Sequence, residues 1–66
     1  MQRSLQRERV AIVATLFRVG RDLDLAEEAL QEASARALAR WPSDGIPDRP
    51  GAWLTVVART WMVDQL

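Results

Sequence analysis

Apolar side chains recur in the first third of the chain at Val10, Val13, Ala14 and Phe17, joined by Leu5, Ile12 and Leu16, while Arg and Glu take the other side. Steps of three and four residues place such positions on one face of a helix. The pattern therefore predicts an amphipathic helix over about residues 3–19, with Gly20 as its stop. A second stripe runs through Leu23, Ala26, Leu30, Ala33, Ala37 and Trp41, and the face opposite it carries Glu28, Gln31, Glu32, Arg36 and Arg40. Its start is well marked: Asp22 or Asp24 can cap the helix, Asp24 and Glu27 have the spacing of a capping box, and Glu28 adds negative charge at the positive end of the helix dipole. Pro42 disfavours helical backbone at the residue before it, so this helix is predicted over about 23–41.

Pro and Gly then crowd into the stretch from Pro42 to Gly51, which reads as a loop over 42–49. Asp48 is expected to cap a third helix with Pro50 in its first turn, where the missing N–H costs nothing. That helix is expected over about 50–66. Trp53, Leu54, Val57, Ala58, Trp61 and Met62 fill one broad face of it, and Val56, Val63 and Leu66 fall outside that face. A helix apolar nearly all round needs more cover than two short helices supply, which points to burial in a larger protein or to a partner. Together the three elements predict an all-α, three-helix fold in a single domain, residues 1–66.

Composition narrows the chemistry. With 66 residues the core is thin, and small folds of this size usually add disulfides, a metal, a partner or close helix packing. The chain contains neither Cys nor His, so it has no disulfide framework and no thiolate or imidazole metal site. All nine basic residues are Arg, which removes Schiff-base and P-loop lysines. Acid–base chemistry could use carboxylates alone, and no nucleophile or Gly-rich phosphate cradle accompanies them. Neither catalysis nor a cofactor is expected. No targeting segment is visible, the apolar run Val10–Phe17 is too short for a membrane span, and a cytoplasmic location is expected.

The net charge of zero conceals an asymmetry. Residues 1–21 carry five Arg and one Glu, a net +4. Residues 22–32 carry Asp22, Asp24, Glu27, Glu28 and Glu32, a net −5, and residues 33–66 a net +1. An acidic face and basic faces can each meet a different partner.

The order of these segments carries a resemblance. A basic amphipathic helix, an acidic "DLDLAEEALQEA" helix, a Pro/Gly loop and a "WLTVVAR" helix together resemble region 2 of the extracytoplasmic-function sigma factors of the sigma-70 family. More narrowly, "DLAEEALQEA", "RWPSDGIPDRPGAWLT" and "VAR" are similar to the subgroup with a long C-terminal extension. The resemblance covers residues from about 5 to 66. It implies a role in bacterial transcription initiation: docking on the clamp coiled coil of the RNA polymerase beta-prime subunit, and opening of the minus-ten promoter element with capture of unpaired non-template bases. An anti-sigma factor is a further partner that it admits. On the family's pattern, "EALQE" makes Glu28, Gln31 and Glu32 the implied clamp contacts. The loop from Trp41 to Gly51 corresponds to the pocket for a flipped base, and Arg49, Trp53, Thr55, Arg59, Thr60 and Val63 map onto the surface that follows the strand. Arg49 and Arg59 suit phosphates or stacking, and Thr60 a base edge.

The chain departs from the family's usual residues at Ser34, commonly aromatic, at Thr60, usually Asn, at Met62, usually small, and at Gln65, often basic. Trp61 and Met62 are expected to add apolar bulk near Thr60. The second promoter-reading region and the basic flank before it are expected to be absent. Read without the resemblance, Glu28, Gln31 and Glu32 make a solvated helix face, Trp53 and Trp61 pack into a core, and the Arg residues are ordinary surface. A second functional reading follows: a truncated sigma-like interaction module that binds polymerase or self-associates through its apolar last helix without reading DNA.

Overall fold

In the computed structural model the chain folds into three helices, α1 (Gln2–Gly20), α2 (Leu23–Asp44) and α3 (Pro50–Gln65), each packed against the other two. The structure describes residues 2–66 and the side chains of 7–66, so the predicted place of Leu5 in the first apolar stripe lies outside the described residues. The all-α expectation holds: among the described residues there is no strand.

The boundaries show which local signals act. Asp22, rather than Asp24, caps α2: its backbone is extended and its carboxylate accepts the Leu25 N–H at 3.1 Å. Glu27 therefore has no part in a capping box. At the end of α1 the left-handed residue is Arg21 (φ 58°), whose N–H returns to the Phe17 carbonyl at 2.7 Å. Gly20 is the last helical residue and serves packing instead. Pro42 does not stop α2, which continues to Asp44 and ends at Gly45 (φ 89°), whose N–H meets the Trp41 carbonyl at 2.8 Å. A proline this close to a C-terminus removes only the N–H that would reach the Leu38 carbonyl, and Leu38 is exposed. Arg49, not Asp48, is the N-cap of α3; it makes no side-chain cap bond, and Pro50 follows as the first helical residue.

The core is built from Ile12 and Leu16 of α1, Ala26, Ala29, Leu30 and Ala33 of α2, and Ala58 and Met62 of α3. The run of buried alanines on α2 lets the neighbouring helices come close, so few large side chains are needed; Leu16 and Met62 are the largest fully buried ones. Val13, Leu25, Leu54, Val57 and Trp61 close the cluster from its edges. Two stripes differ from the sequence expectation. On α1 the inward residues are Ile12 and Leu16, while Val10, Ala14 and Phe17 face solvent. On α2 Ala29 is buried, whereas Leu23, the first helical residue, is 54% exposed. Met62 also differs: it points into the core, roughly 160° around α3 from Thr60, and adds no bulk beside that threonine.

Candidate functional site

The acidic face of α2 is an outward surface. Glu28 and Gln31 are exposed and Glu32 is half-buried, and the three occupy roughly 100° of the helix, opposite the buried alanines. Like charges one turn apart, at Glu28 and Glu32, disfavour an isolated helix slightly. An arginine-bearing partner would reverse the sign, because carboxylates held on a rigid helix suit bidentate guanidinium pairing.

The end of α2 and the start of α3 are joined by aromatic packing. Trp41 and Trp53 meet edge to face, ring centroids 5.3 Å apart and planes at 64°. Both are half-buried. The contact ties the two ends of the intervening loop together, and the buried Trp41 indole N–H meets no acceptor among the described residues, an unsatisfied donor of the kind that calls for an explanation. Ser34 donates its hydroxyl to the Leu30 carbonyl at 2.9 Å. Its small side chain leaves a crevice of about 280 Å³ shared with Ala37, Leu38, Trp41 and Leu54. A neighbouring crevice of about 290 Å³ extends past Trp41 to Glu8, Arg9 and Gly51.

The α3 residues divide. Arg59, Thr60 and Val63 are exposed and contiguous with Val56 on the outer face, and half-buried Trp53 lies one i, i+7 step from Thr60. Arg49 is exposed at the N-cap. Thr55 stands apart. It lies roughly 140–160° around the helix from Thr60 and Trp53, half-buried in the α1–α3 crevice with Glu8, Ala11, Ile12 and Thr15. Its hydroxyl donates to the Gly51 carbonyl at 2.8 Å. The Thr60 hydroxyl likewise donates to Val56 O at 2.9 Å, which leaves its lone pairs as acceptors facing solvent.

Two exposed apolar residues belong beside these surfaces and are not among the sequence-derived candidates. Leu38 is 81% exposed on α2, and Ile46 projects from the loop. Ile46 was detectable in principle, being the lone aliphatic residue in a Pro, Ser, Asp, Gly and Arg stretch. Leu38 sits within an alternation of Ala and Arg that does not mark it out.

No helix among the described residues is long and apolar enough to cross a membrane. The chain is 50% identical over 54 residues to an uncharacterized protein of Rhizobium meliloti (strain 1021); the match covers 82% of this chain and 13% of that protein. No solved structure matches it. The sigma-70 region 2 family matches residues 4–66, nearly the whole chain. The chain belongs to the sigma-70 family, as a region 2 domain.

Proposed function

We propose that this domain acts in promoter recognition by docking on the clamp coiled coil of the RNA polymerase beta-prime subunit through Glu28, Gln31 and Glu32, and by holding the melted non-template strand of the minus-ten element. The observation that carries the docking half is the outward carboxylate face of α2 in a chain that matches sigma region 2. Its work is binding, with no covalent step. Arg49 and Arg59 neutralise phosphates, Trp41 and Trp53 with the 42–49 loop receive an unstacked base, and Thr60 and Val63 lie along the strand. Thr55 enters this surface only through its support of the first turn of α3. An anti-sigma factor covering the α2 face would exclude polymerase by competition.

Titration with the isolated clamp coiled coil tests the docking face. Glu32→Arg reverses a charge on a half-buried position of that face and is expected to lower affinity by more than about tenfold, the scale of losing a charge-assisted pair and gaining a repulsion. Unchanged affinity rules the face out. A second reading, an interaction module that no longer reads DNA, is favoured by one observation: Thr60 spends its hydroxyl proton on its own helix, as Gln65 does its amide, toward Trp61 O at 3.5 Å. Binding of a fluorescent single-stranded oligonucleotide separates the two, since absence of binding even at low salt leaves only the module.

A further inference from the structure

Among the described residues, the second apolar stripe of α1 is only partly covered: Val13 packs against the edge of the core, while Val10, Ala14 and Phe17 stay exposed. Ile12 and Leu16 fill the core, yet Val10, Val13, Ala14 and Phe17 form an i, i+3, i+4, i+7 series along the neighbouring side of the helix. Val10 is 67% and Phe17 36% exposed. Together with Leu23 and Glu27 of α2 they line an open groove of about 620 Å³. Arg9 stands toward one end, and Arg18 and Arg21 toward the other. The four α1 residues extend over about 10 Å of helix axis, so the groove is elongated, and its walls are mainly apolar with charge confined to the rim. A small-molecule site would instead gather several polar groups at one point.

From this we infer that the α1–α2 groove is a docking site for an amphipathic helix of a partner protein, one with an apolar seam flanked by Asp and Glu. The seam fits because helix-in-groove recognition uses anchors at the same i, i+3 or i+4, i+7 spacing that the groove wall presents. The acidic flanks follow from the rim: three guanidinium groups against the single carboxylate of Glu27. Arg21 is already placed, its guanidinium 5.4 Å from the centre of the Phe17 ring, which holds the charge at the groove edge. Guanidinium forks orient well on carboxylates, so charge sets the direction and register of the incoming helix while the seam supplies the buried area. The inference stands on α1 and α2 alone and does not depend on the polymerase reading.

The test uses a fluorescently labelled helical peptide of about 18 residues with a Leu seam and Glu flanks, and its twin with Lys in place of Glu. Fluorescence anisotropy is expected to show the Glu peptide binding at least about tenfold more tightly than the Lys peptide, with the difference shrinking as salt rises. Ala14→Trp fills the groove from an exposed position and should abolish binding. Arg18→Glu takes the rim from a net +2 to zero and should largely remove the preference between the two peptides. Circular dichroism melts of both variants are expected to match the parent. Equal binding of the peptides, no binding of either, or full binding by Ala14→Trp overturns the inference. So does self-association of the free chain that Ala14→Trp abolishes, which would make a second copy the occupant. Loss of clamp coiled-coil binding in Ala14→Trp would merge the groove with the polymerase face and overturn it as a separate site.

Discussion

Gly20 and Met62 meet where the end of α1 closes over α3: a Cβ on residue 20 would stand 3.3 Å from Met62 Sδ and 3.5 Å from its Cε. That contact leaves little room for a Cβ at the last residue of α1, where glycine costs less than the about 1 kcal/mol it costs in a helix interior. It also shows how a large unbranched side chain reaches zero exposure at position 62. Gly20→Ala sets the propensity gain against a displacement of a few tenths of an ångström at the flexible end of Met62, and is expected to change stability by less than about 0.5 kcal/mol. Gly20→Val pushes two further carbons into the same space and is expected to destabilise by about 1–3 kcal/mol. Urea unfolding followed by circular dichroism reads both. A valine variant as stable as the parent would mean that the two residues do not share a tight contact.

The same pair marks the limit of what periodicity reveals. Three helices were legible because punctuation and period agree at Gly20, Asp22, Pro42 and Pro50 to within a few residues of the observed ends. Pro42 misleads because the bias against helical backbone before a proline is a preference, not a bar: the N–H it lacks would have met the carbonyl of exposed Leu38, which water can satisfy. The burial of α1 was legible only in part: Ile12, Val13 and Leu16 are on the apolar arc read from the sequence and do pack inward, but Val10, Ala14 and Phe17 on the same arc do not. Its apolar arc is broad enough to hold two stripes, Ile12–Leu16 and Val10–Phe17, and only the placement of α2 and α3 decides which one is inside. On α2 the outward direction of Glu28, Gln31 and Glu32 could be read directly, since alanine runs and charges separate cleanly. Thr55 was grouped with Thr60 because the family resemblance maps both onto one surface, although five residues along a helix turn a side chain well away from its neighbour.

Arg21 occupies the left-handed region at φ 58° and closes α1 with an N–H to the Phe17 carbonyl. Glycine is the usual residue there, because a Cβ in that conformation costs about 1–2 kcal/mol. Arg21→Gly removes that cost, loses the guanidinium packing on Phe17, and adds freedom to the unfolded chain. The net expectation is a stabilisation of about 0.5–1 kcal/mol, seen as a rise in Tm. Arg21→Val keeps a Cβ and branches it, and should lower Tm. The reverse order for these two variants would contradict the left-handed assignment.

Arg49 and Arg59 are both exposed, one at the N-cap of α3 and the other on its outer face, so neither contributes to the core. If each neutralises one phosphate of a bound single strand, the slope of log affinity against log salt becomes shallower by about 0.7 for Arg49→Ala, by about 0.7 for Arg59→Ala, and by about 1.4 for the pair. Arg36→Ala serves as the control, because Arg36 projects from α2 and not from the strand-following surface; it should leave the slope unchanged. Truncating exposed arginines alters stability little, so thermal melts of all four variants should coincide with the parent within a few degrees. A slope that falls equally for Arg36→Ala would indicate attraction by the overall field rather than by a defined track. A slope unmoved by either α3 arginine would place the strand elsewhere on the domain.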